Sequence, residues 1–245
     1  MSLAPPADAA GAVQESARTG APSIPAGTRP GPRGELLIVL IVTLALPLLL
    51  SAYTLIVSRR NGGRVLFGDT TVLLTLLYEV VIALALVPWL RRRGWTLAST
   101  TRPFESRDLV RGVGLFVLGL GAYYLTYNAL LIAAPDFINS GSMRAEGRIS
   151  ILALMLAVII NSVFEEFLWL GYLVPAGARV SGLLSASLFS GGLRVLQHGY
   201  QGATAFTAIL PVAVILTWYY ARTGRVWPVV TAHAIQNTIA FGMLL

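Results

Sequence analysis

The feature that most constrains this chain is a series of long apolar runs that begins at Leu37. A helix needs about 20 residues to cross the hydrocarbon core of a bilayer, and several of the runs approach that length. Because that medium offers no water to backbone N–H and C=O groups, each run must satisfy its own backbone hydrogen bonds, as a helix does. The runs also lack the alternation of apolar and polar residues that marks a membrane β-barrel strand. The sequence therefore predicts an all-α, polytopic bundle of transmembrane helices.

The apolar runs predict about seven spans. They cover residues 37–56, 68–90, 109–133, 150–174, 181–199, 203–220 and 226–244. The 245 residues suffice for such a bundle but leave no room for a further soluble domain of ordinary size, so residues 35–245 are predicted to form one transmembrane helical domain. Residues 1–34 hold six of the 13 prolines and little apolar surface, which is typical of a disordered tail.

The charge pattern indicates how the chain sits in the membrane. All 18 basic residues are arginines, and the absence of cysteine excludes disulfides and thiolate metal sites. One orientation places twelve arginines on one side, including those of the tail and of residues 91–111, against five at positions 59, 60, 64, 144 and 148. The richer side is predicted to be cytoplasmic. We therefore expect an integral protein of the plasma membrane, the inner membrane of a bacterial cell, with a cytoplasmic N-terminus.

The arginines lie at the ends of apolar runs, where loop charges set topology, so nucleic acid is not a predicted partner. The arginines and aromatic residues of the 91–111 stretch also suit a segment that lies on anionic lipid headgroups. Both interpretations make the lipid bilayer a partner of the chain.

Ionisable and amide side chains inside the predicted spans are few, and most fall in the C-terminal half. The fourth span carries Asn161, Glu165 and Glu166, the fifth Arg194 and His198, the seventh His233 and Asn237, and the second Glu79 alone. A charge at bilayer depth costs several kcal/mol, so such residues usually face a partner or a cavity and serve function. Each of the three C-terminal spans has two of these residues four positions apart, hence on one face. The sequence predicts that these three faces meet at one interior point.

These residue types suit the hydrolysis of a peptide bond. Two adjacent carboxylates in a medium of low dielectric constant do not both ionise cheaply, so one is suited to general acid or base catalysis near neutral pH. A histidine beside a carboxylate helps to polarise water, and a second histidine with an asparagine amide supplies donors for a developing oxyanion. Buried glutamate, histidine and arginine would serve equally well in the proton relay of a small transporter.

Three motifs follow one another on the apolar segments: the pair Glu165-Glu166, then Arg194-x-x-x-His198, then His233-x-x-x-Asn237. Over residues 150–245 they resemble the CPBP family, which comprises the type II CAAX prenyl endopeptidases and bacteriocin-processing relatives. The resemblance implies that residues 150–245 are the catalytic core of an intramembrane endopeptidase acting on a membrane-associated peptide or protein.

The resemblance also implies a role for each motif residue. Glu165 and His198 would activate the attacking water, His233 and Asn237 would hold the oxyanion of the tetrahedral intermediate, and Glu166 would be supporting. Relatives act on prenylated C-termini, on bacteriocin leader peptides or on C-terminal sorting anchors, and the sequence does not choose among these substrates.

Two positions depart from the family pattern. Leu170 stands where the family has arginine, and Arg194 stands where it has phenylalanine. We hypothesise that Arg194 supplies the missing guanidinium from the neighbouring helix and pairs with Glu166. The alternative is a degenerate site, and with it a membrane immunity or binding protein, or a proton-coupled transporter, in place of an enzyme.

Two further expectations concern the geometry of the site. Two histidines and a carboxylate are the smallest ligand set of a hydrolytic zinc site, but Arg194 next to His198 would oppose a divalent cation, so we expect no cofactor, with zinc as the alternative. On the predicted boundaries Glu165 and His198 differ in depth by roughly 12 Å at the rise of an α-helix. A bend at Gly191-Gly192, or a connection that starts below the membrane surface, would be needed to bring them together.

Overall fold

The computed structural model describes residues 32–141 and 144–245. Most of the predicted tail, residues 1–34, lies outside this range, but the first helix already begins at Pro32. The helices are α1 (Pro32–Arg60), α2 (Asp69–Arg92), α3 (Leu97–Thr100), α4 (Arg107–Ala133), α5 (Pro135–Gly141), α6 (Ile151–Ser181), α7 (Leu183–Gln197), α8 (Ala205–Thr223) and α9 (Trp227–Gly242), and the strands are β1 (Arg64–Gly68) and β2 (Arg144–Arg148). The predicted all-α polytopic helix bundle is confirmed.

Among the described residues, five helices rather than seven are long and apolar enough to cross a membrane: α1, α2, α4, α6 and α8. The predicted spans 181–199 and 226–244 form α7 and α9, which have only 15 and 16 residues. Helix α7 is short because it ends at Gln197, where a 3₁₀ turn over Gly199–Gln201 redirects the chain. Helix α9 begins at Trp227, with Pro228 in its first turn, a position that suits the beginning of a helix, and ends at Gly242.

The contacts of the loops group them into two ends of the bundle. At one end β1 and β2 pair in parallel, the Ser150 N–H donates to Asp69 Oδ1 at 2.6 Å, and the Ile149 N–H donates to Leu244 O at 3.1 Å. At the other end the Arg102 N–H donates to Gly224 O at 3.1 Å. This grouping agrees with the predicted division into an arginine-poor and an arginine-rich end. The cytoplasmic placement of the rich end stays a prediction.

A cluster of ions ties α4 to the start of α9 at the arginine-rich end. Asp108 is fully buried and accepts hydrogen bonds from Arg111 at 2.7 Å and from Arg225 at 3.1 Å. Glu105 pairs with the same two arginines, and the hydrogen bond from Arg225 holds the pKa of the Glu105 carboxyl below its usual range. These two arginines therefore hold the fold together in addition to any role in topology.

Helices α4 and α9 pack most closely at Gly112. A Cβ atom at this position would lie 2.4 Å from the Thr231 Cβ and 2.8 Å from the Pro228 carbonyl oxygen. We expect Gly112→Ala to lower the free energy of unfolding by about 1–3 kcal/mol because α9 has to move away. Thermal unfolding of the purified protein in detergent measures the effect.

The matched control is Gly114→Ala in the same helix, where an added Cβ would meet no atom within 4 Å. Alanine exceeds glycine in helix propensity by up to about 1 kcal/mol, so this variant should be as stable as the wild type or slightly more so. Equal melting temperatures for the two variants would contradict the close packing at Gly112.

Candidate active site

The glutamate pair lies in an α-helical turn between two π-helical segments of α6. The turn is Ser162–Glu166, and the π segments are Ala157–Asn161 and Phe167–Leu173. A π-helix has one more residue per hydrogen-bonded turn than an α-helix, and it often marks a functional site. The side chain of Ser190 in α7 donates to the carbonyl of Trp169 at 2.9 Å, so a backbone acceptor in the second π segment has a partner.

Helices α6 and α7 form an antiparallel hairpin about Gly182, whose φ of +84° suits glycine. Helix α6 runs on to Ser181, so the predicted end of the fourth span at residue 174 was wrong. Glu165 precedes Gly182 by nearly the same number of positions as His198 follows it. The two residues are therefore at similar depths, and the expected offset of roughly 12 Å is absent without a break in α7.

Glu165 is buried and held by two amides. Its Oε1 accepts hydrogen bonds from Asn161 Nδ2 at 3.1 Å and from Gln197 Nε2 at 3.3 Å. Its Oε2 is also buried and has no hydrogen-bond partner among the described residues. Arg194, His198 and His233 are close enough to act electrostatically on this carboxylate. The site thus contains one oriented carboxylate with a bare oxygen near an arginine and two histidines.

Glu166 is the centre of a second set of contacts. It is fully buried, its Oε1 pairs with Arg194, and the same oxygen lies 2.7 Å from His233 Nδ1. The predicted ion pair between Arg194 and Glu166 is therefore present. Leu170, which stands where an arginine was expected, is fully buried in the apolar core and leaves the pairing with Glu166 to α7.

His198 caps the C-terminus of α7. Its Nδ1 lies 2.9 Å from the backbone carbonyl of Arg194, and its ring stacks on Tyr200 with centroids 6.3 Å apart. An Nδ1–H that donates to this carbonyl leaves the lone pair of the neutral ring on Nε2. The Tyr200 N–H donates to Ser51 Oγ at 3.0 Å, so α1 fixes the turn that carries the histidine.

Asn237 and Asn161 connect α9 to the carboxylates. Asn237 Nδ2 donates to Asn161 Oδ1 at 2.9 Å and to Ser162 Oγ at 3.2 Å. Asn161 Nδ2 in turn donates to Glu165 and, at 2.6 Å, to Glu79 Oε1 in α2. The amide of Asn161 is thus fully engaged, and its orientation is determined.

The structure brings together all six residues that the motifs predicted. These are Glu165, Glu166, Arg194, His198, His233 and Asn237. It adds Glu79, Asn161 and Gln197, which the sequence prediction left out of the site. The sequence did contain a signal for Glu79, because an ionisable residue within a span usually has a functional role. No sequence signal distinguished Gln197 from other polar residues near a helix end.

The donor groups of the site are not arranged to bind a metal ion. Within residues 32–141 and 144–245, no three histidine, aspartate or glutamate side chains lie close enough to hold one. Arg194 occupies the space beside Glu166 where a cation would balance the carboxylate. The described residues therefore do not fit a three-ligand zinc site.

Glutamates and histidines gathered among apolar helices are residue types that serve general acid–base catalysis. Comparison with protein-family models matches residues 147–239 to "Type II CAAX prenyl endopeptidase Rce1-like". Residues 147–239, less than half of the chain, are therefore similar to this family of CAAX-type proteases, in agreement with the resemblance of the motifs. No curated protein and no solved structure matches it. The matched range contains every motif residue but not Glu79.

Proposed function

We propose that this chain is an intramembrane endopeptidase in which Glu165 and His198 activate the water that attacks the peptide bond. One observation carries the proposal: two amides hold Oε1 of the buried Glu165, while its buried Oε2 has no partner among the described residues. A buried acceptor without a partner is costly unless a water or a substrate completes it. That oxygen is a base positioned to take a proton from a bound water.

In the proposed reaction the water oxygen forms a bond to the peptide carbonyl carbon while Glu165 takes one of its protons. The carbonyl π electrons move to the carbonyl oxygen, which becomes an oxyanion. Nε2 of His198 accepts a hydrogen bond from the second hydrogen of the water and so orients the attack. The oxyanion then re-forms the C=O bond as the C–N bond breaks, the C–N electron pair goes to the nitrogen, and Glu165 returns its proton to the leaving amine, which leaves a carboxylic acid and an amine.

His233 is the proposed donor to the oxyanion. The Nδ1–H of His233 donates to Glu166, which pairs with Arg194, and this contact fixes the ring. Because Nδ1 carries a hydrogen, His233 donates to the oxyanion through Nε2–H as the doubly protonated ring. Asn237, which the resemblance assigned to the same task, donates to Asn161 and Ser162 instead. We therefore assign Asn237 to positioning, because its amide orients Asn161 and, through it, Glu165.

The proposed substrate is a membrane-associated peptide or protein segment that enters the bundle from the interface. Glu79, at the edge of the site, lies near the middle of α2. At the rise of an α-helix, Glu79 is about 15 Å from the nearer end of α2. The scissile peptide bond therefore has to reach the interior of the helix bundle. In this proposal residues 150–245 are the catalytic core of the transmembrane domain, in the plasma membrane of a bacterial cell with the N-terminus cytoplasmic.

The proposal is tested with the purified protein in lipid vesicles, incubated with solubilised membranes from cells that lack the gene. The water is labelled with heavy oxygen, and new peptide termini are identified by mass spectrometry. A hydrolase gives new C-termini that carry one heavy oxygen, and Glu165→Gln gives none. An immunity protein or a transporter gives no new termini, and that result would reject the proposal.

A further inference from the structure

Glu79 is a buried carboxyl group that the proposed mechanism does not use. It lies in α2, outside the region that matches the family model, and only 4% of its surface is exposed. Its Oε1 accepts the 2.6 Å hydrogen bond from Asn161, and its Oε2 is buried with no hydrogen-bond partner in the described part of the chain. A lone carboxyl group at this depth is too costly to be an ordinary packing residue.

One amide group joins Glu79 to Glu165. Asn161 Nδ2 carries two hydrogens, and the Oε1 atoms of the two glutamates lie 2.6 Å and 3.1 Å from it. The carbonyl end of the same amide is held by Asn237, so Asn161 cannot turn to relieve one glutamate in favour of the other. Two ionised carboxylates this close in a medium of low dielectric constant repel each other strongly, so one of them holds a proton.

The surroundings of the two carboxyl groups are unequal. Arg194, His198 and His233 act on Glu165. The titratable groups beside Glu79 are Glu165, on the neighbouring helix α6, and the phenol of Tyr78, on α2 itself. The Tyr78 hydroxyl is turned away and donates to the carbonyl of Val42 at 2.9 Å. Nearby positive charge favours the ionised form of a carboxyl group, so the negative charge belongs on Glu165 and the proton on Glu79.

We propose that Glu79 is a further positioning residue of the active site, which carries the proton of the Glu79–Glu165 pair and holds Glu165 ionised and oriented through Asn161. The inference rests on the proposed function, since it assigns Glu79 to the support of the same base. A neutral Glu79 keeps its hydrogen bond with Asn161 without adding a second negative charge beside Glu165.

Two substitutions separate the proton from the hydrogen bond. Glu79→Gln is neutral and keeps an acceptor for Asn161, so its kcat should stay close to the wild-type value. Glu79→Leu removes the acceptor and should lower kcat by about 10²-fold, with little change in KM, because the base loses its orientation. Tyr78→Phe, next to Glu79 on α2, is the control and should keep wild-type kcat. Kinetics on a peptide that carries an identified cleavage site measure all three.

A double substitution tests whether Glu79 acts through Asn161. If it does, Asn161→Leu and the pair Glu79→Leu/Asn161→Leu should have equal kcat, since the second change removes nothing further. Wild-type kcat in Glu79→Leu, or loss of activity in Glu79→Gln equal to that in Glu79→Leu, would overturn the inference. Thermal unfolding of each variant shows whether a loss of kcat reflects a loss of fold.

Infrared spectroscopy gives a readout that does not depend on proteolysis. The carbonyl stretch of a protonated carboxyl group should be present in the wild type and absent in Glu79→Gln. Glu35→Gln is the matched control, because Glu35 is similarly buried but accepts hydrogen bonds from Trp95 and Tyr172 and pairs with the guanidinium of Arg93. A band unchanged by Glu79→Gln would overturn the inference. If Glu79→Gln removes the band but the wild-type protein has no proteolytic activity, the proposed function is wrong. The assignment of the proton to Glu79 would still stand.

Discussion

Replacing Glu165 with glutamine is expected to lower the kcat for peptide hydrolysis by about 10²- to 10⁴-fold, the usual contribution of a positioned general base. Glutamine retains the Oε1 acceptor that Asn161 and Gln197 contact, but it has no basic oxygen for a proton of the water. The purified variant in lipid vesicles, assayed with a peptide that carries an identified cleavage site, measures the loss.

The control for this substitution is Glu35→Gln. Glu35 is buried, as Glu165 is, but lies at the arginine-rich end, where it accepts hydrogen bonds from Trp95 and Tyr172. This variant loses a buried carboxylate without touching the site, so its kcat should stay near the wild-type value. Similar kcat values for Glu165→Gln and Glu35→Gln would show that Glu165 is not the base.

Replacing Arg194 with phenylalanine is expected to lower the free energy of unfolding by about 3–5 kcal/mol and to abolish activity. The variant restores the residue that the family has at this position, but it leaves Glu166 fully buried without its guanidinium partner, and a buried charge that loses its partner carries a cost of this size. His233 also loses the fixed carboxylate that orients its ring. Thermal unfolding in detergent and the peptide assay measure the two effects.

The double variant Leu170→Arg/Arg194→Phe tests whether the guanidinium has moved from α6 to α7. Leu170 lies four residues after Glu166 on the same helix, within reach of an i,i+4 pair, and its side chain is fully buried beside the core. An arginine there should pair with Glu166 and recover activity that Arg194→Phe alone has lost. Equal activity in the wild type, the single variant and the double variant would reject the exchange.

Much of the site was predictable because polar residues are so rare in the apolar segments of this chain. A four-residue spacing fixes two side chains on one helical face, so the pairs ending at Glu165, His198 and Asn237 had to point the same way within each helix. The Arg194–Glu166 pair was predictable for a similar reason. A buried charge needs a counter-charge, and Glu166 was the nearest candidate without another assigned role.

The ends of the helices were less predictable. Hydrophobicity marks the part of a helix that lies in lipid, and α6 extends past it to Ser181 because the residues after Pro175 continue the helix outside that stretch. Early termination of α7 comes from Gly199 and the turn held by Ser51, which lies 149 residues from its partner Tyr200. The two π segments of α6 have no signature in hydrophobic periodicity. These features determine the depth of His198, which the predicted boundaries misplaced.

The contact between Glu79 and Asn161 could not be predicted from the sequence of a single helix. Glu79 has no ionisable or amide neighbour at helical spacing in its own span, so its role could not be predicted from α2 alone. Its partner Asn161 is 82 residues away and meets it only because α2 packs against the first π segment of α6. Contacts between helices depend on how the helices pack, and the hydrophobic periodicity of either segment does not predict that packing.

If the Glu165 site cleaves peptides in cells, a comparison of peptide termini shows it directly. Membrane and secreted peptides from cells carrying the wild type, Glu165→Gln or no copy of the gene are compared by terminus-selective mass spectrometry. A Glu165-dependent endopeptidase should give new termini with the wild type alone, and those termini identify the substrate. Identical termini in all three strains, with a phenotype that the wild type and Glu165→Gln share and the deletion lacks, would contradict the account and favour a binding or immunity role.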